Sequence, residues 1–500
     1  MSLRTLGLAL TLITFSAVAQ APLDIRLALV IGNGAYAGAP LPNPANDAKA
    51  MGETLRGLGF GVIELQNASK VQMSEAIARM RENLKGKQGV GMLYYAGHGL
   101  QLDWRNYMVP VEAKIGSAAD VPTQSVDVNS VIDAFKTAGT RMNILVLDAC
   151  RDNPFGTIAS GKGLAPMDAP TGTFLAYATA PGNVAEDGDV KTGNGLYTQF
   201  LLQELKKPTA RIEDVFKRVR LQVRQKSGGR QIPWESTSLE DDFVFNSGQK
   251  VVVAKLDERG REQAFNQQKA DWDRIASSKN ADDLYAFLLK YPNGSISEVA
   301  QAQLQRLQKA QTVAVANKEG IVQVAGAARF RLGDTVAIVV RDALTGLEKE
   351  RTQSRVTKID ENTVEINNGR TVLTPEGATV RNRFIANMSP PRLDLPAGEY
   401  ILGKKWTFRS IETSPKGNSF WVEGEIKIVA LETITVPAGT FKTFKLELES
   451  ISQHGTRVRL TRWYEPDWGF WIKMLREIRP RSGTVERDIF EVVERQRGAG

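Results

Sequence analysis

The chain has 500 residues, of which only one is cysteine and two are histidine. A single cysteine cannot form an internal disulfide, so the fold stands on its core alone. No low-complexity tract extends along the chain, and 42% hydrophobic with 24% charged residues is the composition of folded globular protein. After the N-terminal segment, no stretch is long and apolar enough to span a bilayer as a helix, which argues against stable membrane insertion. A net charge of +8 is mild over this length. It permits weak attraction to anionic surfaces but does not indicate nucleic acid as a partner. No run has the oxygen-ligand spacing of an EF-hand, and the acids Glu186, Asp187 and Asp189 are few and scattered. Neither a metal nor another cofactor is expected, and calcium is not expected to be required.

What is present begins with a segment that reads as a secretory signal, residues 1–21. Arg4 supplies a positive start, Leu6 to Val18 is apolar and short, and Ala17-Val18-Ala19 fits a small-x-small cleavage site. Cleavage is expected after Ala19 or, alternatively, Ala21. No cysteine lies near that site, which excludes a bacterial lipid anchor there. The mature protein is expected to be periplasmic or secreted. In an oxidising compartment a lone thiol is a liability unless it is buried or reactive.

That thiol is Cys150. The apolar run Ile144 to Leu147 reads as a buried strand that stops at Asp148, two residues before it. A second run, Val90 to Tyr95, leads into Ala96-Gly97-His98-Gly99. Two buried strands, each delivering a reactive side chain at its carboxyl end, suggest a cysteine–histidine dyad on an open α/β sheet, because such sheets hold their sites there. The other histidine, His454, falls in an unrelated β-rich region.

Around these strands the pattern alternates between strand and helix. Strands are expected at 25–31, 61–65, 106–110 and 173–180, with helices at 43–58, 71–84, 128–135, 196–205 and 212–225. In the second helix Met73, Ile77, Met80 and Leu84 share one face. The alternation predicts a mostly parallel, three-layer α/β/α sheet over residues 22–247. Residues 156–172 are glycine-rich and are expected to cross the mouth of the site as a loop.

Three segments resemble the caspase-like cysteine peptidases, in particular the bacterial relatives of metacaspases. They are Tyr94-Tyr-Ala-Gly-His-Gly99, Leu147-Asp-Ala-Cys-Arg-Asp-Asn-Pro154 and Asn46-Asp-Ala48, with Asn194-Gly-Leu-Tyr-Thr198 fitting a later helix of the family. His98 stands about 50 residues upstream of the cysteine, as in caspases. The resemblance implies that Cys150 is the nucleophile and that His98 takes its proton and returns it to the leaving amine. It also implies that the backbone N–H groups of Gly99 and Cys150 bind the oxyanion. Caspases that cut after Asp carry Gln where this chain has Asp148. Metacaspases, which cut after Arg or Lys, carry an acid there and another at the position of Asp47. Asp47 and Asp148 are therefore expected to form a negative pocket, and the substrates to be proteins or peptides with basic residues. Lys162, in Ser160-Gly-Lys-Gly163, is a candidate site of self-cleavage.

Residues 248–315 shift towards Gln, Lys, Ala and Asp and read as a short helical spacer. Helices are expected around Phe265 and Trp272, around Leu284, Phe287 and Leu288, and around Val299, Ala300, Leu304 and Leu307. One such unit is too little for a solenoid, so packing on its neighbours is favoured over partner binding. Residues 316–496 alternate with a period of two, and turn signals recur at Asn367-Asn-Gly369, Pro415-Lys-Gly417 and Pro437-Ala-Gly439. An all-β sandwich or curved half-barrel is expected. Trp406, Trp421, Trp463, Trp468 and Trp471 would form its core or, alternatively, line a ligand groove. Arg457 and Arg459 share a strand face, with Arg462 nearby. That reads as a solvated face or, alternatively, as a surface for an anionic cell-envelope partner. The rival to a peptidase is a non-catalytic envelope-binding or scaffold protein acting through this β domain.

Overall fold

The computed structural model describes residues 25–103, 105–150, 164–165, 167, 169–179, 193–247, 258–308, 330–360, 362–395, 400, 402–465, 468 and 470–498. The expected signal segment, Lys162, the acids at 186–189 and most of the 156–172 loop lie outside them.

The first half alternates as its periodicity requires: β1 (Arg26–Gly32), α1 (Pro44–Gly57), β2 (Gly61–Gln66), α2 (Lys70–Leu84), β3 (Val90–Leu102), β4 (Arg105–Met108), α3 (Asp120–Gln124), β5 (Val126–Asp127), α4 (Val128–Ala138), β6 (Met142–Cys150), β7 (Thr173–Tyr177), α5 (Leu196–Leu205), α6 (Ile212–Lys226) and β8 (Trp234–Thr237). The main sheet runs β2-β1-β3-β6-β7-β8. Its strands are parallel except β8, which is antiparallel to β7. Successive residues of each strand enter opposite layers. Val30, Tyr94 and Val146 pack with Met51 of α1, Leu201 of α5 and Val219 of α6. Leu29, Leu93 and Leu145 pack with Met73, Ile77, Met80 and Leu84 of α2 and Phe135 of α4. Both faces are covered, which is why the strands read as unbroken apolar runs. The helices start where their caps dictate: Ser69 and Gln72 form a capping box on α2, and Asp127 accepts from Asn129 N at 2.8 Å on α4.

β3 does not stop at His98 but continues to Leu102, because its last four residues pair antiparallel with β4. The main ladder thus ends near His98 while the strand itself turns over the carboxyl edge.

The spacer is α7 (Glu258–Asp273), α8 (Ala281–Lys290) and α9 (Ser295–Leu307). Leu284, Phe287, Leu288, Val299, Ala300 and Leu304 share one cluster with Leu221 of α6 and with Ala378 and Leu393 of the β domain. The hairpin is therefore a wedge between its neighbours. Leu307, the last residue of α9, is 37% exposed. No helix among the described residues is long and apolar enough to cross a membrane.

The β domain comprises β9 (Thr335–Asp342), β10 (Glu348–Ile359), β11 (Val364–Ile366), β12 (Thr371–Leu373), β13 (Thr379–Arg381), β14 (Asn387–Ser389), β15 (Lys405–Thr413), β16 (Ser419–Val436), β17 (Gly439–Ser452), β18 (Arg457–Tyr464), β19 (Trp471–Arg479) and β20 (Glu486–Gln496). They form one twelve-stranded sheet, β13-β12-β11-β10-β9-β20-β19-β18-β17-β16-β15-β14. Its two ends approach: Thr379 and Arg392 exchange backbone hydrogen bonds of 2.8 and 3.1 Å. The result is a near-closed ring rather than two facing sheets. Register shifts at Ile428/Ala430 and Val492/Glu494 provide the local bends that a curling sheet needs. Trp406, Trp463 and Trp468 are buried core, while Trp421 and Trp471 are half-buried. Arg459 is exposed and pairs with Glu449 at 2.8 Å. Arg462 instead faces inward and meets Asp394 at 2.7 Å, since it sits one residue out of phase with Arg459.

The β domain touches the α/β half at the outer edge of β8. Gly403, with φ +82°, lies so close to the Thr237 carbonyl that a Cβ there would overlap its oxygen. Gly417, with φ +86°, has open space around it. Gly417→Ala should therefore cost about 1 kcal/mol of backbone strain alone. Gly403→Ala should cost clearly more, about 2 kcal/mol or above, because the docking must also shift. Urea unfolding of the two variants checks this. Equal losses would mean that the β8 contact adds nothing to stability.

Candidate active site

The parallel β3–β6 ladder sets Gly97 opposite Ala149 and His98 opposite Cys150. The two residues of the expected dyad are register partners on adjacent strands, and adjacent strands lie about 4.8 Å apart. They sit at the carboxyl edge, and β3 adjoins β1, where the chain order of the sheet reverses.

His98 is 3% exposed, and its orientation is fixed from three directions. Its Nε2 lies 2.7 Å from the Ala39 carbonyl oxygen. A carbonyl only accepts, so Nε2 carries the hydrogen and Nδ1 is the basic nitrogen of the neutral ring. The Tyr36 ring packs against the imidazole with centroids 4.4 Å apart. The backbone is pinned as well. His98 N–H donates to Tyr36 Oη at 3.1 Å, and Tyr95 O–H donates to the His98 carbonyl at 2.6 Å. Gly97 has φ +153°, and a Cβ there would lie 2.8 Å from both tyrosine oxygens. Only glycine lets β3 bring the histidine past that pair.

The loop after β1 supplies Tyr36 and Ala39. It is shaped by Asn33, wholly buried, which accepts from Ala68 N at 2.9 Å and donates to the Val109 carbonyl at 3.1 Å. Asn67 closes the turn by accepting from Gly34 N and Ala35 N, both at 2.9 Å.

Gly99 faces Met108 in the β3–β4 ladder. Val109 N–H bonds to the His98 carbonyl, so Gly99 and Met108 are a non-hydrogen-bonded pair and the Gly99 N–H points away from β4, towards β6.

Asp47 and Asp148 are brought together by the first turn of α5. Asp47, in the first turn of α1 and 3% exposed, accepts from Gly195 N at 3.0 Å. Asp148 accepts from Thr198 Oγ1 at 2.6 Å. Thr198 spends its hydrogen on that carboxylate, so the Tyr94 O–H, 2.5 Å away, donates to Thr198. Burial, then Asp47 and Asp148, push the Tyr94 phenol well above its ordinary pKa and keep it a donor. The point where a Gly195 Cβ would stand is 3.4 Å from Asp47 Oδ2 and 3.8 Å from Asp148 Oδ2. The two carboxylates therefore flank a gap that glycine leaves open.

Neither Tyr36, Ala39, Gly195 nor Thr198 carries a role in the sequence reading. Ala39 acts through its carbonyl and leaves no side-chain signal, whereas Tyr94 and Tyr95 stand in the quoted motif without an evident reason. Asp187 and Asp189 lie outside the described residues. Among those described, no group of three or more His, Cys, Asp or Glu residues is placed to hold a metal ion.

The three-layer sheet, with histidine and cysteine on neighbouring parallel strands, is a caspase-like α/β fold. In agreement, a family model described as the caspase domain matches residues 25–244. Mucosa-associated lymphoid tissue lymphoma translocation protein 1 of Homo sapiens and its homologue of Mus musculus are each 30% identical to this chain over 202 residues. That overlap is 38% of this chain but only 23% of each relative's length.

Tyr36→Phe removes the oxygen that receives His98 N–H and the hydroxyl that donates to Val109 at 2.9 Å. Leaving these buried groups unmatched should cost about 1–3 kcal/mol. Denaturant unfolding measures the loss, and a variant as stable as the parent would show that the pin is dispensable.

Proposed function

We propose that residues 25–244 are a cysteine endopeptidase that cuts on the carboxyl side of Arg or Lys. The observation that carries this reading is the register of His98 with Cys150, with His98 Nε2 tied to Ala39. In the proposed reaction the Cys150 thiol gives its proton to His98 Nδ1, and the thiolate attacks the peptide carbonyl. The oxyanion accepts from the backbone N–H groups of Gly99 and Cys150. His98 then protonates the leaving amine, and water hydrolyses the thioester. The imidazolium formed in between keeps its Ala39 bond, so the ring does not turn between the two proton transfers.

The preference for basic residues is supported by the two carboxylates that flank the gap at Gly195. A guanidinium or ammonium entering that gap meets two acids held by N–H and O–H donors and by the positive end of α5. Arg-ending and Lys-ending fluorogenic peptides should be hydrolysed and Asp-ending ones not, without added calcium, and Cys150→Ala should abolish the activity. Asp148→Asn should lower kcat/KM on the Arg peptide about 10–100-fold, the worth of a charge-assisted hydrogen bond. Gly195 has an ordinary negative φ of −59°, so Gly195→Ala should fold normally and raise KM with little change in kcat. Preferential cleavage after Asp would overturn the pocket while leaving the nucleophile.

We also propose that the chain is exported and that residues 1–21 are its signal. The basic Arg4, the short apolar run and the Ala-x-Ala site support this. N-terminal sequencing after expression in a bacterial host should read from Gln20 or Pro22. Protein that keeps Met1 and stays in the cytoplasm would exclude export.

A further inference from the structure

A partly closed cavity of about 80 Å³ lies where the three parts of the chain meet. α6 forms one wall, the α8–α9 hairpin a second, and the segment leading into β15 a third. One side is apolar, from Leu221, Leu239 and Leu288. The other side is charged. Glu298 pairs with Lys404 at 3.1 Å and Glu235 with Arg220, while Glu213 lies 3.9 Å from Arg211 without a hydrogen bond to its Oε2. Two lining cations are left over, Lys217 of α6 and Lys405 of β15. Among the described residues, neither has a carboxylate within 4.0 Å. The Lys217 ammonium donates to the Asn293 side-chain oxygen, and the amide of Asn293 turns to Asp214.

An ammonium withdrawn from water without a counter-charge is unfavourable, and a second cation beside the same space adds to the cost. The consequence is visible at Lys217. Burial lowers its pKa to about 8, with Lys404 and Arg220 adding to the effect and Glu298 and Asp214 opposing it. An anion in the cavity would reverse this balance, and among the described residues no carboxylate lies within 4.0 Å of either lysine to fill that role. We propose that this junction cavity binds a small oxyanion, a carboxylate or phosphate group, between Lys217 and Lys405, with any short apolar tail lying against Leu221, Leu239 and Leu288. Its walls come from all three parts, so the ligand binds the assembled chain and holds the parts together. α6 is joined in turn to α5 through Arg218 and Glu204 at 2.7 Å, and α5 carries the Thr198 that holds Asp148.

The test uses the full chain and reads its unfolding midpoint in phosphate, acetate, butyrate and chloride at matched ionic strength. Near neutral pH at least one oxyanion should raise the midpoint saturably, by about 2 °C or more over chloride at high occupancy. The rise should vanish in Lys217→Met. In chloride alone that variant should melt no lower than the parent, since it removes an unmatched charge. Phosphate acting at lower concentration than the carboxylates would identify a phosphate site. Butyrate acting below acetate would identify a carboxylate with its tail on the leucines. The effect is full while Lys217 is protonated and should fade as pH rises through about 8. Equal responses to chloride, or a response kept by Lys217→Met, would overturn the site. Should that variant not fold, calorimetric titration of the parent decides: no binding of any of the three oxyanions up to about 10 mM overturns it as well.

Discussion

The parallel pairing of β3 with β6 is the constraint on which the rest depends. β3 has β1 on one side and β6 on the other, and both of its faces are buried. Its residues alternate between two helical layers, so a slip of one position would send Tyr94 and Leu93 each into the wrong layer and unpair His98 from Cys150. Core packing and site geometry are therefore one requirement. The residues that hold the register, Met92 to Tyr95 and Ile144 to Leu147, lie away from the chemistry, yet they decide where it can occur.

At the carboxyl edge the apolar ladder gives way to a dense polar framework in which backbone groups do most of the positioning. His98 is held through its N–H, its carbonyl and its Nε2. Each bond reaches a different neighbour: the loop after β1 gives Tyr36 and Ala39, and β3 itself gives Tyr95. Asp47 and Asp148 come from α1 and β6, and only the first turn of α5 sets them around one gap. Carboxylates are costly to withdraw from water, and the N–H and O–H donors of that turn offset the cost. Asp47 Oδ2 and Asp148 Oδ2 face the gap, the latter while it accepts from Thr198.

The β domain and the helical hairpin are parts of the same body. An exposed edge strand invites pairing with another chain, and here the edge at β8 has Gly403 of the β domain against it. The hairpin fills the angle between α6 and the ring, with Lys404 and Glu298 bridging the seam. Inside the ring, Arg392 meets Asp394 at 2.7 Å and Glu412 at 2.9 Å, and Arg462 meets Asp394. Buried charges are tolerable when paired in this way. The unmatched pair of lysines at the junction stands apart from that pattern.

The sequence by itself determined the alternation of strands and helices in the first half, because periods of 2 and 3.6 are written into single segments. α5 and α6 fall almost where the apolar spacing puts them. It also determined the candidate dyad, since a chain with one cysteine and two histidines offers few choices. Asp47 and Asp148 were legible through the resemblance of their motifs, but as separate signals. Tertiary structure alone decided that they flank one space, that Ala39 orients the imidazole, and that Gly195 keeps the gap open. It also decided that Arg462 turns inward and that the β strands close towards a ring instead of splitting into a sandwich. The physical reason is the same in each case. A backbone carbonyl, a missing Cβ or a strand's curvature leaves no mark in local pattern, and acquires its meaning only when segments far apart in the chain are brought into contact.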